Sequence, residues 1–384
     1  MAYPAHTPQH VPPSSLPDPE RGRRMVGLGL YVMGMGFGAL MLLVLFFVLP
    51  AAMGIGPQMS VAMLIGALLA FPAAVVYLFV PRLLDRYDPE PAYALVMALA
   101  WGGIAACGFS ALVNTLVGAA LGDVASTVLS APIVEEASKG ILVLGFLYFL
   151  RREFDGVVDG IIYGTFVAIG FAAVENVIYY AEAGMQDGGE GIRTTFFLRG
   201  LLTPWGHPLY TSMTGIGVGI ARESSRTWLR LVAPVAGYSA AVFLHAMWNG
   251  SAVLLGSLGA GGALVFLCSI FLWLIFVIAF LALVLGLVRR RGRIIRAHLL
   301  DEVALGHLTQ AELDLVASAF GGLTAYARKG KPGLEFARAV ARLALSKWHS
   351  ARAMKGKTRT VSMDFIAPLR RRIRELREQG ASPV

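Results

Sequence analysis

The sequence predicts an all-α polytopic membrane protein: eight transmembrane helices and a small helical C-terminal region in the cytosol. Three observations predict it. The 384-residue chain is 56% hydrophobic and only 15% charged, where soluble proteins carry about 25% charged residues. Several apolar runs reach the roughly 20 residues that a helix needs to cross a bilayer. The arginines collect in alternate loops, as they do on cytoplasmic faces. The net charge of +9 therefore reflects topology. No nucleic acid is expected as a partner, because the basic residues sit in short loops rather than along a groove for a phosphate backbone. Cys107 and Cys268 both fall in apolar stretches, which indicates two small buried hydrophobes and no disulfide framework.

The elements follow in order. Residues 1–24 form an N-terminal tail, Pro-rich and expected to be disordered, that ends in Arg21, Arg23 and Arg24. The first apolar run, Val26 to Leu49, is too long for the core of a signal peptide and reads as a retained span. Span two is Met59 to Val80, with Pro72 inside it. The stretch PRLLDRYDPEP, 81–91, reads as a charged interfacial turn, and span three runs from Tyr93 to Val117. Span four, Val124 to Leu150, contains Glu135, Glu136 and Lys139 and ends at Arg151 and Arg152. Span five, Val157 to Ala181, opens on Gly160 and Gly164, a spacing that lets helix backbones approach closely, and carries Glu175 and Asn176.

Residues 182–203 are expected to be the longest loop between spans. Span six, Thr203 to Ala221, carries His207; Phe196 to Leu202 can also belong to it. Span seven, Leu231 to Leu255, carries His245 and Asn249. Span eight, Ala263 to Val288, is terminated by Arg289, Arg290, Arg291, Arg293 and Arg296. Eight spans put both termini in the cytoplasm of a plasma-membrane protein. Arg82, Arg86, Arg151, Arg152, Arg222, Arg226 and Arg230 then all lie inside, and Arg193 and Arg199 are the loop arginines left outside. The domain division is tail 1–24, transmembrane core 25–288 and basic helical region 289–384. That last region shows a capping box at Thr309 to Glu312 and helical patterns over Leu334 to Lys347 and Ile366 to Leu376. It is read as a small helical domain or an amphipathic tail on anionic lipid.

A charged side chain at the bilayer centre costs about 3 kcal/mol or more, so intramembrane ionisable groups mark a functional site. Glu135 and Lys139 are spaced i,i+4, and Glu136 and Lys139 i,i+3, so both carboxylates reach one lysine. One lysine neutralises one carboxylate, and the other becomes a proton carrier. Glu175 needs a partner from another helix. His245 and Asn249 share one face of span seven. At 1.5 Å rise per residue, Glu135, Glu175, His207 and His245 can meet in the outer half of the membrane, about 9–17 Å below the outer surface. The same residue types also suit a proton or ion pathway of a transporter or channel, or a non-catalytic receptor or scaffold. No inverted repeat or pair of broken helices supports a transporter.

Taken in order, EEASK at 135–139, FAAVEN at 171–176, HPLYT at 207–211 and HAMWN at 245–249 resemble the PrsW family of intramembrane proteases. RYDPEP at 86–91 and FDGVVDGIIYG at 154–164 resemble it too, and the likeness covers roughly half the chain. Lys139 at +3 from the second Glu, and Glu175 where the related CAAX prenyl endopeptidases and Abi proteins have His, place the resemblance on the PrsW branch. The resemblance implies an endopeptidase that cuts a membrane-anchored protein, such as an anti-sigma factor, on the extracytoplasmic side. Its catalytic set would be Glu135, Glu136, Lys139, Glu175, His207, His245 and Asn249.

Two routes to hydrolysis stay open. In a metal-free route Glu135 or Glu136 activates water, His207 or His245 donates a proton, and Asn249 stabilises the oxyanion. In a zinc route His207 and His245 with Glu136 or Glu175 hold the ion and Glu135 is the base. A site formed within one chain implies a monomer or weak dimer.

Overall fold

The computed structural model describes residues 21–84, 89–258, 260–355 and 361–384. The expected disorder of residues 1–20 and part of RYDPEP, residues 86–88, lie outside the described residues. The chain is all-helical there. Helix α1 is Arg21–Ala52, α2 Gly56–Arg82 and α3 Ala92–Leu121. Helix α4 is Ala131–Phe149, α5 Val157–Thr195, α6 Gly206–Glu223, α7 Thr227–Leu258 and α8 Ala260–Ala304. Three further helices follow, α9 Gln310–Ala317, α10 Gly321–Lys355 and α11 Ile366–Glu378.

Six helical stretches among the described residues are long and apolar enough to cross a membrane: α1, α2, α3, Val157–Glu223, Thr227–Leu255 and Gly261–Ala304. The expectation of eight differs for two physical reasons. Helix α4 holds Glu135, Glu136 and Lys139, so it is too charged to qualify on composition. Val157–Glu223 counts once but contains both α5 and α6. These two run antiparallel. Gly160 lies against the Gly215 carbonyl, Gly164 against Thr211, and Gly219 against Val157. A Cβ on Gly160 or Gly219 would collide with the opposing backbone, so glycine here sets the helix spacing.

Helix α5 is the buried centre of the bundle, hidden almost without interruption from Val157 to Phe171. It packs on α2, α3, α4 and α6. Gly102 of α3 meets the Val167 backbone and Gly170 of α5 meets Leu99. By contrast α1 exposes leucine, phenylalanine, methionine and valine along its length, and α8 exposes leucine, isoleucine and phenylalanine from Leu264 to Leu285, as lipid-facing helices do. Cys268, expected to be buried, is exposed on α8, while Cys107 is buried.

Two further expectations change. Residues 182–202 are helical rather than a loop: α5 continues to Thr195 across Gly188, whose φ of 62° breaks its direction. A π-helical stretch, Phe196–Leu202, follows, and Thr203 to Trp205 separate it from α6. The Arg289 cluster does not end its helix either. Arginine is a good helix former, and α8 runs on to Ala304 because Ile295 and Leu299 bury into a core with Leu313, Phe336, Val340, Leu343, Ile373 and Leu376. The capping box is present: Thr309 accepts from the Glu312 amide at 3.1 Å and Glu312 accepts from the Thr309 amide at 2.8 Å. This C-terminal assembly docks on the α4–α5 turn and the end of α6. His349 Nε2 lies 3.6 Å from Asp155, Arg291 3.7 Å from Asp159, and Arg352 donates to the Glu223 carbonyl.

Candidate active site

Four helices deliver the ionisable groups to one place. Helix α4 brings Glu135, Glu136 and Lys139 on one face, since i, i+3 and i+4 positions are neighbours on a helix. All three are buried; Glu136 and Lys139 have no exposure at all. An unpaired charge there would cost several kcal/mol, and Lys139 is correspondingly well paired. Its ammonium lies 2.9 Å from Glu136 Oε1, 3.5 Å from Glu135 Oε2 and 3.1 Å from His207 Nδ1. The Phe171 ring sits beneath it at 3.8 Å.

An ammonium only donates, so His207 Nδ1 accepts and Nε2 carries the proton. That Nε2–H donates to Glu175 Oε2 of α5 at 2.9 Å. His245 of α7 stands with its Nδ1 3.3 Å from Glu136 Oε1 and its Nε2 3.9 Å from Glu135 Oε2. The Tyr210 ring stacks on His245 with centroids 5.2 Å apart, and the two imidazoles are 5.0 Å apart edge to face. Glu175 and His207 keep 14% and 13% side-chain exposure, so the cluster is closed on the α4 side and reachable on the α5–α6 side.

Six of the seven expected residues therefore converge: Glu135, Glu136, Lys139, Glu175, His207 and His245. Asn249 does not join them; its amide donates to the Thr127 carbonyl at 2.9 Å, tying α7 to the turn before α4. Asn176 touches none of the carboxylates directly but accepts at 2.8 Å from Arg199 Nε, the same guanidinium that donates to Glu175.

Four residues that pattern reading did not place belong here. Arg199 donates to Glu175. Thr211 donates to Glu136 Oε2 at 2.8 Å. Asn114 of α3 donates to Glu135 Oε1 at 3.2 Å, and Ser130 donates to Asn114 at 2.7 Å. Thr211 carries a signal, since it lies one turn after His207 on the same face. So does Asn114, an amide in the largely apolar α3. Three π-helical stretches border the cluster, Trp101–Ala106, Ser126–Ser130 and Phe196–Leu202. Such bulges re-aim side chains and frequently accompany functional sites. Trp101 donates to the Ser138 carbonyl at 2.9 Å, Ser130 reaches Asn114, and Arg199 reaches Glu175.

The charge balance has a chemical consequence. Three carboxylates, Glu135, Glu136 and Glu175, face two permanent cations, Lys139 and Arg199. The cluster has room for one more positive charge. The place for it is identifiable: Glu135 Oε2 is buried and receives no hydrogen bond. Glu135, His207 and His245 each present one ligand atom, all within 4.8 Å of one another. Two histidines and a carboxylate are an ordinary set for a catalytic divalent metal with an open position. Glu136 and Glu175, the carboxylates expected as ligands, are instead hydrogen-bonded to the outer nitrogens of the two histidines. Carboxylates in that position hold a metal-binding imidazole in place. The residues fit a metal that takes the place of the Lys139 ammonium at His207 Nδ1.

The comparisons agree with the geometry. The model of the family described as PrsW family intramembrane metalloprotease matches residues 90–284, just over half of the chain. The protease PrsW of Geobacillus kaustophilus is 29% identical over 188 residues, 43% of this chain and 79% of the relative. That of Bacillus subtilis is 29% identical over 143 residues, 37% of this chain and 62% of the relative. No solved structure matches. The matched segment takes in every residue of the cluster, and the chain belongs to the PrsW family of intramembrane metalloproteases.

Proposed function

We propose that this family member hydrolyses a peptide bond of a membrane-anchored protein near the extracytoplasmic side, at a centre formed by Glu135, His207 and His245. The observation that carries the reading is the buried Glu135 Oε2, without a hydrogen-bond donor, facing two imidazoles in a cluster one positive charge short. A transport pathway or an inert scaffold does not need that arrangement, and membership of a protease family disfavours both.

In the proposed mechanism the Glu135/Glu136 pair takes the proton of the attacking water, since two carboxylates share one ammonium. Glu136 holds His245 through Nδ1, which turns Nε2 toward Glu135 Oε2 and keeps its lone pair available to a metal. Glu175, clamped by Arg199, holds His207 in one tautomer. Zinc is the proposed metal, with Glu135, His207 and His245 its holders; when bound it would acidify water and polarise the scissile carbonyl. Asn249 is proposed as a support of the α7–α4 contact rather than an oxyanion donor, because its amide is already on Thr127.

The remaining assignments are proposals of the same standing. Eight passes, with both termini in the cytoplasm of the plasma membrane, are supported by the antiparallel α5–α6 pair and by the loop arginines. The division into tail 1–24, core 25–288 and cytosolic region 289–384 is supported by the separate core of the C-terminal helices. An anti-sigma factor is the proposed substrate type, the protein a monomer or weak dimer, and the CAAX prenyl endopeptidases and Abi proteins its wider relatives. The test is cleavage of a membrane-anchored peptide by purified protein. Wild type should cut, and Glu135→Gln should stay folded and not cut. Turnover by Glu135→Gln would remove the hydrolytic reading.

A further inference from the structure

We infer that Asn114 and Ser130 form a positioning pair that decides which oxygen of Glu135 is free to react. The inference rests on reading Glu135 as the reacting carboxylate. Glu135 has two oxygens in very different surroundings. Oε1 accepts from Asn114 Nδ2 at 3.2 Å. Oε2 has no donor and lies toward Lys139, at 3.5 Å, and His245 Nε2, at 3.9 Å. A carboxylate rotates about its Cγ–Cδ bond unless something holds one oxygen, and Asn114 is the group that holds it.

The orientation of Asn114 follows from chemistry. Its two amide ends face different partners, Glu135 on one side and the Ser130 hydroxyl on the other. Facing a carboxylate, only the NH2 end is tolerable, since carbonyl against carboxylate is acceptor against acceptor. The carbonyl end then turns to Ser130, whose hydroxyl donates at 2.7 Å. The backbone is fixed as well: Ser126 Oγ donates to the Asn114 carbonyl at 2.8 Å. Ser126 and Ser130 are the two ends of the π-helical stretch before α4. That bulge thus sets Asn114, and Asn114 sets Glu135. Without it Oε2 could turn onto its own donor and lose its aim at the histidines.

The experiment uses the full chain, purified in detergent, with a membrane-anchored peptide substrate. Asn114→Asp is isosteric and, when ionised, offers Glu135 no donor. A space-filling Asn114 predicts wild-type turnover in this variant. A positioning Asn114 predicts a fall in kcat of about 10- to 100-fold, the usual effect of losing an outer partner of a reacting group, with KM within about twofold. Asn114→Leu should behave alike, and Ser130→Ala should lower kcat by a smaller factor with KM likewise held. Wild-type kcat in folded Asn114→Asp overturns the inference. If the Asn114 variants fail to fold, Ser130→Ala decides: reduced kcat supports the pair and wild-type kcat overturns it. Glu135→Gln run alongside separates the two levels. Turnover there defeats the hydrolytic reading itself, whereas an inactive Glu135→Gln with a fully active Asn114→Asp defeats only the positioning role.

Discussion

Among the described residues the protein buries glutamates in two places, and they differ in one respect. In the C-terminal helices Glu302 has no exposure, and both its oxygens are filled: Lys347 at 2.8 Å and Arg370 at 2.5 Å on Oε1, His307 at 2.9 Å on Oε2. Glu312 is alike, with Arg377 at 2.5 Å, Ser382 at 2.8 Å and the Thr309 amide at 2.8 Å. In the membrane core Glu136 is filled too, by Lys139, Thr211 and His245. Glu135 alone of these four keeps an oxygen without a donor. A saturated buried carboxylate fixes helices together. An unsaturated one holds solvation free energy that an incoming proton or metal ion recovers. Burial and charge are shared by all four, so the count of donors separates structure from chemistry.

The largest effects should break that comparison if it is wrong. Glu135→Gln should lower kcat about 1000-fold, within the range general acid–base groups supply, while the thermal midpoint stays near wild type. Glu302→Gln should do the opposite, losing about 2–3 kcal/mol of stability in the C-terminal helices with turnover per folded molecule retained. An equal loss of turnover in both would show that saturation does not distinguish them. Next comes Arg199→Ala, which frees Glu175 and through it His207; a kcat loss of about 10- to 100-fold is expected, and Arg199→Lys should recover part of it. Smaller still is Asn249→Ala. With its amide on Thr127 it should cost less than about tenfold in kcat, chiefly through helix packing. A loss matching Glu135→Gln would put Asn249 back in the reacting centre.

These contrasts also mark what could be read from the sequence. Glu135, Glu136, Lys139, Glu175, His207 and His245 were legible because charge inside an apolar run is costly and conspicuous. Their spacing on α4 followed from the helical repeat. Asn114, Arg199 and Thr211 were not placed, because each acts on a partner in another helix, and the pattern along one helix says nothing of rotation against its neighbours. Arg199 in particular looked like a loop cation, since Gly188, Gly189 and Gly191 with the charges around them imitate a loop. The span count was blurred by the same physics that revealed the site, as the charges that identify α4 are the ones that disqualify it as an apolar helix. Where α8 ends was hidden because tertiary packing on Ile295 and Leu299, not local sequence, carries it past the arginines.

The last effect concerns the docked C-terminal helices and is read in stability, not turnover. Burial, with Arg291 and Arg222 nearby, holds the His349 imidazole down to about 4, against the opposing pull of Asp159. The unfolded histidine takes a proton first as pH falls. The contribution of neutral His349 is therefore complete above about pH 6.5 and declines between 6.5 and 4, by at most about 1.4 kcal/mol per pH unit. Thermal melts across that range should show the decline, and His349→Gln should flatten it. An unchanged slope in the variant would assign the dependence to other groups.

The central claim, that Glu135, His207 and His245 form a metal-holding hydrolytic centre, is tested most directly by elemental analysis of purified protein that is actively cutting its substrate. The account predicts close to one zinc per chain, removed together with activity by a strong chelator and restored together on adding zinc back. His207→Ala and His245→Ala should each lose metal and turnover in parallel. Full activity in protein holding less than about 0.1 metal ion per chain, untouched by chelation, would contradict it.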